Sequence, residues 1–540
     1  MILPSFNLQS SSERKWLPYP LLLCVFAALL FFPGLGWRDF WAPVEPRYAE
    51  IARTMFAKGE WAVPSVNGTL YADKPILYFW FVLIGSKLAG NVNEWTVRLP
   101  SALSAMGLVL TTYLLGRDLF SPRIGFMGAV ILATSSRVLW EARWAHTDMP
   151  FAFFFTFSLY FFSKAILQEG KQRDFLLAYG FMALATLTKG LIGLVLPGLI
   201  LFAFVAARRE WRAVLQWRIP LGILLFLSIT LPWFAWVSTA THGKWLEEFI
   251  WIHHVRRFTS GLGHRQPFYY YLWNFPLDLL PWTVFAVPAL FAYRSRRKAL
   301  KEPASLFLFL WFAAIFVFFS VSRSKRGLYL LPLFPPAALF VANYFDTLVI
   351  GDASESALYR RLSGIFFGFL CVSSLSVPIA AWYFQREAVW ISLPFAIAMA
   401  AGGRATLMAI RRRLPSAVFL TTACTVLAGM LCVAVLVLPF VDRYKSPRPL
   451  ALLVKQTVPS AQPLYIYADT MTDFNFYTER EVIPVLSTEQ DVQDLLAQGE
   501  KGYLLIKERD LDKMQRKEAL KMVVEKNIGD KKWYLTSLGE

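Results

Sequence analysis

LIGLVLPGLILFAFVAARREWRAVLQWR, from Leu191 to Arg218, carries the pattern that decides the fold. An apolar run from Leu191 to Ala206 ends in a short connection holding Arg208, Arg209, Arg212 and Arg218. An apolar run approaching ~20 residues matches the thickness of a bilayer's hydrocarbon core. A basic connection directly after it is the charge pattern of a cytoplasmic membrane loop. The same pairing recurs along the chain. Ala417–Phe440 is a second long apolar run, and the connections Tyr293–Pro303 (Arg294, Arg296, Arg297, Lys298, Lys301) and Gly403–Pro415 (Arg404, Arg411, Arg412, Arg413) are equally basic.

Composition agrees. The 540 residues are 56% hydrophobic and 17% charged, against roughly 25% charged in soluble domains. Apolar runs this numerous exclude a single soluble core. The net charge of +18 does not point to nucleic acid, because such a partner needs basic residues gathered on one solvated face. Here they are scattered between apolar runs. Cys24, Cys371, Cys424 and Cys432 each lie inside an apolar run, so neither a disulfide framework nor a cysteine metal cluster is expected. The first apolar run lacks a small-residue cleavage site and more spans follow it, so it does not read as a cleaved signal peptide.

The apolar pattern predicts about thirteen spans, near 17–36, 76–90, 96–116, 125–140, 150–168, 175–188, 190–206, 219–238, 276–293, 304–321, 328–346, 363–384 and 416–440. Runs 76–90 and 175–188 are short, and 389–402 is a further short candidate, so the parity is open by one. The expected class is an all-α polytopic core over 1–440 followed by a small α/β domain over 445–540. In that last segment short apolar runs (Leu464–Tyr467, Tyr503–Ile506, Trp533–Leu535) alternate with amphipathic stretches. The domain shows no nucleophile or metal-ligand spacing.

The connections that alternate with the basic loops are 37–75, 141–149, 188–190, 239–275 and 322–328. They mix carboxylates, histidines, cations and aromatics, and by the positive-inside rule they face the opposite compartment. One face carries topology signals and the other carries the chemistry. Glu45, Arg47 and Glu50 cluster in the first of these loops, where Pro46 suits the first turn of an interfacial helix. Asp73 and Lys74 stand where a span begins, where charges are also ordinary end-markers. Asp148 heads an apolar helix, as a cap or as a base for an acceptor hydroxyl. Lys189 sits between two apolar runs with no partner nearby in sequence, and an ionisable group at membrane depth is a functional candidate by default. Arg323, Lys325 and Arg326 precede Tyr329. Three of the five histidines, His253, His254 and His264, fall in loop 239–275 beside Arg256 and Arg257. His253 and His264 are more readily interfacial hydrogen-bonding groups than metal ligands, although the three histidines could bind a metal with Asp73, since His and carboxylate are ordinary ligands. Cations recurring on a face that should be poor in them call for an anionic ligand. Phosphate suits Arg and Lys, and a lipid phosphate would also use the grooves between spans.

Taken together, Glu45-Pro46-Arg47-Tyr48-Ala49-Glu50-Ile51, Lys74-Pro75-Ile76, Asp148, Thr188-Lys189-Gly190, His254 to Arg257-Phe258 and Ser322 to Tyr329 with Leu330-Leu331-Pro332 resemble the GT-C polyprenyl-phosphate-sugar glycosyltransferases. The likeness is nearest to the bacterial lipid A aminoarabinose transferases, with the protein O-mannosyltransferases more distant. The resemblance implies inverting transfer of a sugar, with 4-amino-4-deoxy-L-arabinose the candidate, from undecaprenyl phosphate to lipid A or a related glycolipid. The site would face the periplasm of a bacterial inner membrane. It implies that Arg47, Lys74, Lys189, Arg257, Lys325 and Tyr329 hold the lipid phosphate. It also makes Asp73 and His254 a candidate divalent-metal pair (Zn, Mg or Mn). The family pattern has Asp-Glu before Arg-Tyr-Ala, whereas this chain has Val44-Glu45. The acid/base group is therefore Glu45, Asp39 or Asp148. A protein O-glycosyltransferase and a flippase of lipid-linked sugars are the alternatives. The second would be expected to show repeated halves and broken helices at mid-membrane, and no repeat is visible.

Overall fold

The computed structural model describes residues 18–168, 170–256, 264–295, 302–351, 356–515 and 520–539. Among the described residues eight helices are long and apolar enough to cross a membrane, and the pair Tyr270–Asp278 and Thr283–Tyr293, bent by 116°, adds a ninth when taken as one span. Shorter apolar helices include Pro18–Phe31, Pro122–Ala133 and Ile192–Arg208. Burial separates the inner helices from the lipid-facing ones. Gly327–Val349 is 83% buried over its apolar window and Ala357–Phe384 only 11%.

Two of the expected spans change. The run 76–90 forms the helix Leu77–Ala89, but this helix does not cross. Its 13 residues reach ~20 Å at 1.5 Å per residue, short of a ~30 Å core. Tyr78 Oη donates to the Val97 carbonyl at 2.7 Å and Ser86 Oγ to Thr96 at 3.1 Å, so the helix lies across the head of the next one. That next helix, Glu94–Leu119, starts from an Asn93–Thr96 capping box. Glu94 accepts a hydrogen bond from Tyr477 of the C-terminal domain at 3.0 Å. Both ends of Leu77–Ala89 are therefore on the face that carries this domain. Conversely, the short candidate at 389–402 is part of a full-length helix, Ala388–Arg411, of 24 residues. The two changes offset each other, and the chain still arrives at residue 445 on the face of the mixed loops.

After Pro415–Cys432 and its continuation to Lys445, the chain forms a five-stranded sheet with its strands in the spatial order Val485–Leu486, Leu464–Tyr467, Gly502–Lys507, Lys531–Leu538, Leu520–Ile528. Its strands are β3 (Leu464–Tyr467), β4 (Val485–Leu486), β5 (Gly502–Lys507), β6 (Leu520–Ile528) and β7 (Lys531–Leu538). β3 runs parallel to β4 and β5, whereas β5, β7 and β6 are antiparallel. The expected α/β character is present. The domain is clamped to the first loop by Arg448 on Asp39 (2.9 Å), Trp41 Nε1 on Asp442 (2.6 Å) and Phe40 N on Tyr477 (2.9 Å). A hairpin of β1 (Ser65–Val66) and β2 (Thr69–Leu70) turns at Asn67-Gly68, both at positive φ, the residue pair that a tight type I′ turn favours. The Asn67 side chain donates to Ile483 O and accepts from Ile483 N.

Candidate active site

Side chains from distant parts of the chain line one cavity of about 440 Å³ on the face that carries the C-terminal domain. Arg47 and Tyr48 come from the helix Glu45–Lys58. Asp73 and Lys74 come from the turn before Leu77–Ala89. His146 and Asp148 stand at the head of Asp148–Leu167, and Lys189 is the last residue of Gln172–Lys189. His264, Ser324, Arg326 and Tyr329 belong to two loops that pair with each other.

Local structure explains each placement. Gly190 ends the helix just after Lys189 with φ +96°, a conformation that costs glycine little. The Gly190 N–H returns to Thr186 O at 2.8 Å, so Lys189 stays at the cavity wall. There its ammonium pairs with Asp148 and lies 5.0 Å from both the Phe151 and Tyr329 rings. Asp148 also faces His146 Nδ1, so both of its oxygens are engaged. Asp73 accepts from Lys74 Nζ at 3.0 Å and stands 3.1 Å from His253 Nδ1.

The chain is extended around Ser324. Arg265 and Ser324 form an antiparallel bridge, and Lys325 N donates to His264 O at 3.1 Å. Side chains in extended chain alternate between two faces. Ser322, Ser324 and Arg326 therefore line the cavity, while Arg323 and Lys325 line a different surface depression beside Gln266 and Phe268. Lys325 Nζ donates to the carbonyls of Gln266 (3.1 Å) and Ser322. The expected phosphate ligand Lys325 is thus turned away, and Arg326 holds the place it was assigned. Gly327 fixes this arrangement: a Cβ there would lie 2.5 Å from Arg137 and 2.8 Å from Asp278, which pair at 2.8 Å.

Glu45 is not in the cavity. It is fully buried, bonded by Arg98 Nε (2.8 Å) and Nη2 (3.0 Å), paired with Arg38 (2.7 Å), and capped by Ala145 N (3.1 Å) and Trp41 N (3.3 Å). Burial raises its pKa, but the charges of Arg38 and Arg98 outweigh that and hold the carboxyl at about 2. With every lone pair engaged it cannot take a proton from an acceptor, and its role is structural. Asp39 is committed to Arg448 and Ser446. Val44, in the position where the family pattern has aspartate, does line the cavity.

Of the residues expected from sequence, Arg47, Lys74, Lys189, Tyr329, Asp148 and Asp73 converge. Arg257 and the side chain of His254 lie outside the described residues. Sequence reasoning missed His146, two residues from Asp148, and named Arg326 among the cations before Tyr329 without setting it ahead of Lys325. For the metal pair, His253 stands beside Asp73, and among the described residues no three His, Cys, Asp or Glu groups stand together as a ligand set.

The cavity's charge balance is its chemical signature. Arg47, Lys74, Lys189 and Arg326 face only Asp73 and Asp148 among its lining carboxylates. Among the described residues, Arg47 and Arg326 make no ion pair with a carboxylate. Partly enclosed guanidinium groups with no carboxylate partner form a site for an anion, and phosphate oxygens match their fork geometry.

Residues 73–236 match the model of the dolichyl-phosphate-mannose-protein mannosyltransferase family. An undecaprenyl phosphate-alpha-4-amino-4-deoxy-L-arabinose arabinosyl transferase of Pseudomonas fluorescens is 31% identical over 392 residues, covering 71% of this chain and 68% of that protein. The chain belongs to this arabinosyl transferase family of glycosyltransferases. The Edwardsiella ictaluri member is 29% identical over 365 residues, 67% of this chain. The chain matches 65% of the length of that relative. The crystal structure of ArnT from Cupriavidus metallidurans bound to undecaprenyl phosphate superposes with TM-score 0.79 over 98% of this chain and 99% of that one, at 23% identity. That likeness establishes the fold, including the added C-terminal domain.

Proposed function

We propose that this protein transfers a sugar, with 4-amino-4-deoxy-L-arabinose as the leading candidate, from undecaprenyl phosphate to lipid A or a related glycolipid. The reaction takes place at the periplasmic face of a bacterial inner membrane, with inversion at the anomeric carbon. The observation that carries this reading is the cavity in which Arg47, Lys74 and Arg326 meet the Lys189–Asp148–His146 cluster. The orientation rests on the basic loops around Arg208, Arg297 and Arg412, which belong in the cytoplasm.

In this reading Arg47, Arg326 and Lys74 hold the donor phosphate, with Tyr329 beside Lys189. The acceptor hydroxyl attacks the anomeric carbon from the side opposite the phosphate. The C–O bond to phosphate breaks as the new glycosidic bond forms, and the departing phosphate's charge stays on the cations that bound it. The hydroxyl proton goes to His146. Asp148 has both oxygens occupied and orients the imidazole through Nδ1, leaving Nε2 as the accepting nitrogen, in the manner of a carboxylate–histidine pair.

The test uses purified full-length protein, undecaprenyl-phosphate-linked aminoarabinose and lipid A, following release of undecaprenyl phosphate. His146→Gln is expected to lower kcat by roughly 10²–10⁴, the usual contribution of a general base. Full turnover in His146→Gln would remove His146 from the mechanism. Absence of release from the wild-type protein with this donor, but release with another polyprenyl-linked sugar, would replace the sugar.

A further inference from the structure

On the far side of Glu45 from the catalytic cavity lies a groove that the reaction does not use. Two adjoining cavities of about 260 and 220 Å³ share Ser136, Leu139, Met430 and Val433 in their walls. The deeper part runs between the lipid-facing helices Ala357–Phe384, Ala388–Arg411 and Pro415–Cys432, against Phe366, Leu370, Met399 and Val426. The outer part opens beside Trp140 and Trp144, whose rings stack at 5.1 Å, and beneath Arg38 and Arg143. Neither part shares a lining residue with the catalytic cavity.

Arg143 is the informative group. It is 6% exposed, and among the described residues no carboxylate pairs with it. Its Nη1 and Nη2 donate to the carbonyls of Phe31 (3.0 Å) and Pro33 (2.5 Å), capping the end of the helix Pro18–Phe31, while Nε finds no partner. Burial, then the charges of Arg38 and Arg98, lower its pKa to about 10. A buried cation without a counter-charge is costly, and here it stands at the head of an apolar groove that opens to the membrane. Arg38 adds a second guanidinium, 4.4 Å above both the Trp41 and Trp144 rings.

We infer that this groove holds a resident anionic glycerophospholipid, its phosphate on Arg143 and Arg38 and one acyl chain laid between the three outer helices. Basic pockets between spans select anionic head groups by this chemistry. The aromatic pair at the mouth sits at head-group level. The glycolipid acceptor is disfavoured as the occupant, because the wall formed by Arg38, Glu45 and Ala145 separates the groove from the reacting groups. The bound lipid would brace the loop Arg143–Thr147, which leads directly to His146 and Asp148.

The test is native mass spectrometry of the full-length protein released from mixed micelles of phosphatidylglycerol and phosphatidylethanolamine. The wild type is expected to retain phosphatidylglycerol with roughly tenfold preference, the effect of one charge-assisted contact. Arg143→Gln should abolish the preference and Arg143→Lys should restore most of it. Because Arg143 also caps a helix, Val426→Trp provides a second arm: it fills the groove without touching the arginine and should cut retention of both lipids. Equal retention across wild type, Arg143→Gln and Val426→Trp would overturn the inference. So would displacement of phosphatidylglycerol by lipid A, which would make the groove an acceptor site. Neither outcome depends on the transferase reading, since no turnover is measured.

Discussion

Removing the charge of Glu45 separates a structural role from a catalytic one. The carboxylate lies between Arg38 and Arg98 with two backbone N–H groups on the same oxygens. Its proton affinity falls from a pKa of 4.5 to about 2 on folding. At about 1.4 kcal/mol per tenfold change in affinity, that gap corresponds to about 3 kcal/mol. The same figure is reached from mutagenesis, where breaking a buried pair costs about 3–5 kcal/mol. Because the folded value is depressed, this contribution is complete above pH 4.5 and lost as the pH falls through about 2. Glu45→Gln keeps the shape but replaces one of two acceptor oxygens by an NH2 that can only donate, facing N–H donors, and leaves two buried guanidinium groups without a counter-charge. Stability by urea titration in detergent micelles at pH 7 is expected to fall by about 3 kcal/mol. Donor turnover by the fraction that remains folded should drop far less than with His146→Gln. A Glu45→Gln protein as stable as wild type but devoid of turnover would refute the reasoning and return Glu45 to the role that its place in the sequence motif suggests.

Arg326→Ala should raise KM for the lipid-linked donor and lower kcat/KM by roughly 10–100-fold, the loss of one or two charge-assisted contacts. Lys325→Ala, one residue away but facing elsewhere, should change kcat/KM by less than about threefold, and steady-state kinetics of the two variants decides between them. Asp473, in the C-terminal domain, is buried and accepts from Phe474 N at 3.0 Å, and burial raises its pKa from 3.8 to about 7. The raised value means that the neutral acid suits the fold. Its contribution is full below pH 3.8, is lost as pH rises, and reaches a deficit of at most about 4 kcal/mol above pH 7. Asp473→Asn should therefore raise the melting temperature at pH 8 and leave it nearly unchanged at pH 4, measured by scanning calorimetry or tryptophan fluorescence.

The sequence by itself determined the membrane class, which loops share a face and most of the charged residues that line the cavity. Those follow from physics that acts locally. An apolar run such as Leu191–Ala206 must leave water wherever it sits, and the arginines after it mark the face that the basic loops share. Lys74, Asp148 and Lys189 were legible because ionisable groups at span ends are costly enough to need a reason. The rest depended on contacts between distant segments. The parity of the spans turned on Glu94 meeting Tyr477, 383 positions away, which lays Leu77–Ala89 along the membrane although its residues are as apolar as those of a span. The choice between Lys325 and Arg326 turned on a bridge between Arg265 and Ser324. Once that segment is extended, neighbouring side chains point to opposite faces, and a one-residue difference becomes the whole width of the chain. Glu45 looked catalytic beside Arg47 in sequence, yet Arg38 of its own loop is joined by Arg98 and Ala145, 53 and 100 positions away. Which charges neutralise one another inside a low-dielectric core is a property of the packed structure, and only that packing separated the buried anchor from the open site.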